Sequence, residues 1–189
     1  MTRPVRPFQS RFGLLPVVRM DRAMQHRDAI DEIRAAWLTL RPEMDTTAVG
    51  TIGRVLRIAR VVTLLSDEVL SGFGISRGEF DVLSAVRRSP EPLTSSDLAR
   101  TLITSNASIT KRMGQLERSG LAVRERSDSD RRVVYVRLTD AGVAKIDDAV
   151  PELLAFEASI ASSLSNEQRD QFEEALRRML GQLERRGSE

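Results

Sequence analysis

Residues 93–138 read LTSSDLARTLITSNASITKRMGQLERSGLAVRERSDSDRRVVYVRL and contain three local patterns in succession. Two short helical patterns, 94–102 and 105–118, each begin at a hydroxyl side chain of the kind that caps a helix. Two β-rich runs, 121–126 and 133–138, follow, and the polar segment between them suits a hairpin turn. Two short helices followed by a basic hairpin predict a winged helix-turn-helix.

The segments on either side of this unit carry helical patterns. Apolar side chains recur at helical spacing over residues 28–40 and, as a broad stripe, over 46–71, where Thr46 or Thr47 is the expected cap. Ser76 with Glu79 begins another helix, and further helices start at Thr139 and at Ser165. The fold class is therefore mostly α with a small β-hairpin wing, and residues 1–28 are expected to form an extended or flexible arm.

Composition excludes several classes of protein. The chain has 189 residues, of which 41% are hydrophobic and 30% charged, and no apolar run is long enough to span a bilayer. It has no cysteine, its one histidine (His26) lies in the arm, and no glycine-rich phosphate loop or metal-ligand cluster is present. We therefore expect a cytoplasmic protein that is not an enzyme and needs no cofactor.

Positive charge is concentrated in the winged unit. The net charge is only +2, but residues 100–137 hold nine Lys and Arg against four Asp and Glu. This distribution is typical of a surface that binds phosphate groups, although a solvated charged face would show it too.

The start of the second short helix and the hairpin tip carry the candidate DNA contacts. Small polar side chains let a helix start approach the major groove closely, and the longer Lys111 and Gln115 can reach phosphates or base edges. Two adjacent arginines at the tip can clamp phosphate or enter a minor groove. The alternatives are a solvent-facing helix and arginines that merely bridge the loop. The candidate DNA-binding residues are Ser105, Asn106, Ala107, Ser108, Lys111, Gln115, Arg131 and Arg132.

A family resemblance rests on four segments. They are LTSSDLA at 93–99, SITKRM at 108–113 with LERSGL at 116–121, DSDRR at 128–132 and LTDAG at 138–142. Over residues 46–183 the chain resembles the MarR (multiple antibiotic resistance regulator) family. The resemblance implies a homodimer that reads a pseudo-palindromic operator in double-stranded DNA. It also implies an arm and extra helix (1–45), dimerisation helices (46–75 and 139–189) and a DNA-binding domain (76–138).

The helix at 28–40 makes the chain similar to the urate-responsive branch of that family. Most members lack a helix before the dimerisation helix, whereas this branch has one. The branch uses a Trp from the extra helix, an Asp after an aromatic residue, a Ser or Asn after that helix and an Arg of the recognition helix. The residues that match it, and that the resemblance implies as ligand-binding, are Trp37, Asp81, Ser89 and Arg112.

Asp81 lies in an otherwise apolar helical pattern, and a carboxylate in such a place needs a cationic partner. We expect an ion pair between Asp81 and Arg112 that ties the recognition helix to the body of the domain. An anionic planar ligand stacked on Trp37 could then compete for Arg112 and displace the helix. The alternative is a permanent ion pair together with a tryptophan that only fills the core.

The sequence thus predicts a sequence-specific DNA-binding transcriptional regulator. We expect it to be a repressor released from DNA by a small anionic or aromatic molecule, either urate-like or another organic acid or phenol. The alternative function is a winged-helix module that binds proteins without reading DNA.

Overall fold

The computed structural model describes residues 27–186, which belong to two compact units divided between Ala59 and Arg60. Helix α2, Arg54–Ser71, runs across this boundary. The predicted arm and His26 lie outside the described residues, apart from the last two positions of the arm.

The first unit contains α1, Ala29–Leu40, and a π-helical segment, Val49–Gly53, that leads into α2. Asp28 and Asp31 form a capping box at the start of α1, which confirms the helix predicted over 28–40. The guanidinium of Arg54 donates to both carboxylates at 2.7 Å, so α1 is held on the start of α2.

The start of the second predicted helix differs from the expectation in two ways. The backbone N–H of Thr47 donates to the carboxylate of Asp45 at 2.8 Å. The helix start is therefore capped by the side chain of Asp45 and not by that of Thr46 or Thr47. The pattern also did not indicate the π-helical segment, which includes Gly50 and Gly53. A Cβ built on Gly53 would lie 3.3 Å from the side chain of Ile30, so glycine allows α1 to approach here.

The second unit has the predicted order of helix, helix, helix, hairpin, helix, helix. Its elements are α3 Arg77–Arg88, β1 Leu93–Thr94, α4 Ser95–Thr101, α5 Asn106–Arg118, β2 Ala122–Arg126, β3 Val134–Leu138, α6 Asp140–Ala161 and α7 Asn166–Arg186. Side-chain caps at Ser76, Thr94, Ser105 and Thr139 start α3, α4, α5 and α6, as the sequence predicts.

The wing is a three-stranded antiparallel sheet with the order β1-β3-β2. Leu93 lies opposite Val136, and Ala122 lies opposite Leu138. Strand β1 was not predicted, because two residues are too few to show the alternation that identifies a strand. The sheet anchors the β2-β3 hairpin on α4 and α5, the helices that precede the hairpin in the chain.

The core of this unit lies between α3, α4, α5, the sheet and the first half of α6. Its fully enclosed side chains belong to all of these elements, which fixes the recognition helix against the rest of the domain. The largest of them are Leu83, Leu98, Ile109, Met113, Leu116, Ile146, Val82 and Val136, and Leu70 from the end of α2 joins the same core.

Candidate nucleic-acid interface and adjoining cavity

Helix α5 presents one face to the core and the opposite face to the surroundings. Ile109, Met113 and Leu116 have no exposed area, as their placement on one stripe predicts. At the start of the helix, the Ser105 hydroxyl accepts the backbone N–H of Ser108 at 3.1 Å. Of the candidate DNA contacts, the exposed ones on this helix and its cap are Ser105, Asn106, Ala107 and Lys111, and the half-buried ones are Ser108 and Gln115.

The two arginines of the wing tip, Arg131 and Arg132, differ in the interactions that their side chains make. The Asp130 carboxylate accepts the backbone N–H of Arg132 at 3.0 Å and its guanidinium at 3.2 Å, while the Arg132 side chain stays 92% exposed. This guanidinium, followed by the Arg132 backbone N–H, lowers the pKa of Asp130. Arg131 is exposed and forms no ion pair with any residue between 27 and 186. One arginine is oriented by the loop and the other is free to bind.

A cavity of about 460 Å³ lies beside the recognition helix, against the end of α2 and the start of α3. It brings together Asp81 and Arg112, two of the predicted ligand-binding residues. It also includes three predicted DNA contacts, so the cavity opens beside the DNA-reading face. Its lining residues are Thr63, Asp67, Ser76, Arg77, Gly78, Asp81, Ser108, Lys111, Arg112 and Gln115.

Asp81 and Arg112 do not form the predicted ion pair. The Asp81 carboxylate accepts instead from the guanidinium of Arg77 at 2.9 Å, one helical turn earlier on α3. Arg77 also donates to the buried hydroxyl of Ser66 at 3.0 Å and pairs with Glu157 of α6 at 3.5 Å. The cationic partner that Asp81 requires is therefore local, and Arg77 links α2, α3 and α6.

Arg112 is left without a charged partner among the described residues. Its guanidinium lies over Gly78, where an added Cβ would sit 2.6 Å from Nε and 2.9 Å from Cζ. The glycine thus provides the space in which the guanidinium rests. An unpaired guanidinium in a cavity is available to an anion.

The other two predicted ligand contacts lie elsewhere in the structure. Ser89 follows α3, donates its hydroxyl to the Glu91 carbonyl at 2.7 Å and lines a separate cavity of about 290 Å³. The serines that line the cavity with Arg112 are Ser76 and Ser108. Trp37 lies on α1 in the first unit, with 45% of its area exposed, and so is no core-filling residue within one chain.

A larger cavity of about 800 Å³ lies between α3 and α6 and was not foreseen from the sequence. Arg87 and Asp147 form a bidentate ion pair across it, at 2.9 and 3.0 Å, and this pairing lowers the pKa of Asp147. Arg77 and Glu157 face each other across the same cavity. Its lining cations thus already have carboxylate partners, except for Arg88.

Two features are absent from residues 27–186. No helix in this range combines the length and the apolar character needed to cross a bilayer. Nor does the range contain a group of three or more His, Cys, Asp or Glu side chains that could hold a metal ion.

Known proteins match the chain in sequence and in fold. A family model described as the MarR family matches residues 73–133. The HTH-type transcriptional regulator PecS of Dickeya dadantii is 32% identical over 158 residues, which cover 82% of this chain and 93% of PecS. The DNA complex of Staphylococcus aureus MepR aligns with a TM-score of 0.65 at 24% identity, over 70% of this chain and 98% of that one. CouR of Rhodococcus jostii, solved with p-coumaroyl-CoA, gives 0.62 at 23% identity, over 71% and 95%.

The capped recognition helix, the basic wing and these matches define a DNA-binding transcriptional regulator of the winged helix-turn-helix class. The chain belongs to the MarR family. Its relatives are regulators and not enzymes. The family assignment also excludes the alternative function, a winged-helix module that binds proteins without reading DNA.

Proposed function

We propose that this regulator is a ligand-responsive repressor, released from its operator by a small anionic or aromatic molecule. The observation that carries the proposal is the guanidinium of Arg112, which no carboxylate of residues 27–186 pairs with, in a cavity that also includes Ser108, Lys111 and Gln115. A ligand held there competes with DNA for side chains of the same helix face.

The proposed DNA contacts are divided between the two grooves. The start of α5 would enter the major groove, with Lys111 and Gln115 reaching phosphates or base edges. Arg131 and Arg132 would bind the neighbouring minor groove or its phosphates, since both side chains are exposed at the wing tip. Asp130 supports this role because it holds the Arg132 guanidinium in a defined position without burying it.

A homodimer is proposed as the DNA-binding form. Helix α2 exposes large apolar side chains, including Leu56 and Leu64, and α7 exposes Phe172, Leu180 and Leu183. An exposed apolar surface of this extent needs a partner surface, and two identical subunits would present two recognition helices to a pseudo-palindromic operator. The assignment of residues 46–75 and 139–189 to dimerisation and of 76–138 to DNA binding remains part of this proposal.

The charges of the cavity favour an anionic ligand. Arg77, Lys111 and Arg112 face Asp67 and Asp81 there, and Arg77 is already paired with Asp81. Of the remaining charges, Lys111 and Arg112 outnumber Asp67, whose carboxylate accepts from the backbone N–H of Arg77 at 2.6 Å. This excess of positive charge suits a carboxylate or urate-like anion. That the fold neighbour CouR was solved with p-coumaroyl-CoA, an aromatic acyl thioester, is compatible with an aromatic effector.

Trp37 remains a proposed stacking contact, as the resemblance to the urate-responsive branch implies. Its side chain is accessible, which a stacking contact requires. Asp81 is proposed to act by holding Arg77 away from the ligand, and not by pairing with Arg112. Two serine hydroxyls line the cavity of Arg112: that of Ser76 is hydrogen-bonded to Glu79, and that of Ser108 is the proposed ligand contact. Ser89 lines a different cavity.

The test uses electrophoretic mobility shift and thermal denaturation with urate and with benzoate. The DNA would be duplexes selected by the wild-type protein from a randomised pool. We expect one of the anions to raise the melting temperature and to release the DNA. Arg112→Ala should weaken the response about 10-fold to 100-fold, because one charge-assisted hydrogen-bonded pair contributes roughly 1.5–3 kcal/mol.

Arg88→Ala is the matched control, since Arg88 is an exposed arginine that lines the other cavity. It should leave the anion response unchanged. Equal stabilisation of Arg112→Ala and wild type by the same anion would refute the proposed cavity. Trp37→Phe tests the stacking contact separately, with a smaller expected loss.

A further inference from the structure

Three helices among residues 27–186 end in the same backbone turn. At the end of α2, α4 and α5, a backbone N–H donates to a carbonyl five residues earlier: Ile75 to Leu70, Thr104 to Ala99 and Leu121 to Leu116. In each turn the residue before the donor has a positive φ. Those residues are Gly74 at 70°, Ile103 at 48° and Gly120 at 70°. This is the helix termination in which glycine is strongly preferred.

Ile103 is the exception among the three. A side chain in the left-handed region brings Cβ close to the following carbonyl, and β-branched residues such as isoleucine tolerate it least. Among the described residues it is the only one other than glycine with a positive φ. A glycine at this position would relieve the strain, as Gly74 and Gly120 do in the other turns.

The side chain of Ile103 is not buried, so burial does not offset the backbone strain. It is 87% exposed, the highest value among the exposed large apolar side chains of the described residues. In the other two turns the apolar residue comes one position later and is buried, at 5% exposed for Ile75 and 7% for Leu121. Strain without burial within one chain points to a contact made with something else.

The position of Ile103 indicates what that partner is. It lies two residues before Ser105, the cap of the recognition helix, and Ser105, Asn106 and Ala107 after it are exposed. A side chain that projects from this turn stands beside the end of the helix that would enter the major groove. The apolar surfaces of DNA in reach of such a residue are the thymine methyl group and the deoxyribose ring.

We propose that Ile103 makes an apolar contact with operator DNA at the start of the recognition helix, and that the strained turn holds it there. This rests on the assigned DNA-binding function and adds a DNA-contacting residue that carries no charge; it determines specificity where the surface contacted is a thymine methyl group. The contact contributes to affinity at the expense of the stability of the free protein.

Ile103→Gly and Ile103→Asn test the proposal, because both residues accept a positive φ and neither can replace the apolar contact. We expect the melting temperature of the DNA-free protein to rise by about 2 °C as the strain is relieved. Affinity for the selected operator should fall about tenfold in the same variants, the loss typical of one removed base contact. Ile103→Leu keeps an apolar side chain without the β-branch and should retain most of the affinity.

Deoxyuridine in place of each operator thymine identifies the surface contacted. If one replacement weakens the wild type but not Ile103→Asn, Ile103 touches that thymine methyl; if none does, while both variants still lose affinity, it touches deoxyribose. Wild-type affinity in Ile103→Gly and Ile103→Asn would overturn the proposal. A lower melting temperature in both variants would also overturn it, because the side chain would then pack within the assembled protein. Failure of the wild type to select any duplex would instead contradict the sequence-specific DNA binding on which the inference rests.

Discussion

The winged unit with its neighbour α3, on the one hand, and the terminal helices α1 and α7, on the other, bury very different amounts of their apolar surface. Helices α3, α4 and α5 enclose Leu83, Leu98 and Ile109 completely. Helix α7 has no buried residue, and α1 buries only Ile30. A single chain therefore provides the winged unit with its own core, whereas α7 and α1 retain apolar side chains for which it provides no cover. The difference separates stability that belongs to one chain from stability that depends on a second surface.

The largest effect should come from opening the core of the winged unit. Leu98→Ala removes a fully buried side chain of α4 and should lower the free energy of unfolding by about 2–5 kcal/mol, through lost burial and the cavity left behind. Chemical denaturation at two protein concentrations measures it. If the core of the winged unit is complete within one chain, the loss in the free energy of unfolding is the same at both concentrations. A loss that grew on dilution would show that this core, too, depends on a partner.

A smaller effect, on dimerisation and not on the core of the winged unit, is expected from a substitution in α7. Leu180 is 52% exposed in one chain, and Leu180→Asp should weaken the proposed homodimer at least about tenfold by placing a charge in an apolar interface. Light scattering across a dilution series measures the dissociation. Gln182→Asp adds the same charge to an exposed polar position of α7 and should leave the mass unchanged. A Leu180→Asp protein as dimeric as wild type would remove α7 from the interface.

Much of the winged unit and of the helices next to it was predictable because the sequence signals are local. The caps at Ser76, Thr94, Ser105 and Thr139 and the stripe of Ile109, Met113 and Leu116 each depend on a few neighbouring positions. Strand β1 and the π-helical segment were missed because both are too short to produce a hydrophobic period. Local chemistry therefore identifies the helices and the hairpin, but not the short irregular pieces that join them.

The ligand site was predictable only in part, since it depends on which side chains meet in space. The need of Asp81 for a cation was clear, and the spacing of four between Arg77 and Asp81 on one helix was the available signal for its true partner. The cradle that Gly78 forms for Arg112 depends on how α3 packs against α5. No pattern within either helix encodes that packing, so the unpaired guanidinium could not be foreseen.

The smallest effect concerns how α1 is held within its own unit, where Arg54 bridges Asp28 and Asp31. The hydrogen bonds from Arg54 lower the pKa of both carboxyls below their ordinary value of 3.8. The contribution of this bridge is therefore complete at neutral pH, and it is lost as the pH falls below 3.8 through the lowered pKa values. Trp37, the single tryptophan, lies on α1 and reports on the helix by its fluorescence.

We expect the wild-type emission to stay constant from pH 7 to about pH 4 and to change below it, in the range where the carboxyls take up protons. Arg54→Met keeps much of the side-chain volume but removes the bridge, so its emission should already differ at pH 7. Arg57→Met is the control, because Arg57 is an exposed arginine on the same helix. Identical pH profiles for wild type and Arg54→Met would mean that burial of Ile30 alone holds α1, and that the first unit depends less on charge than its geometry indicates.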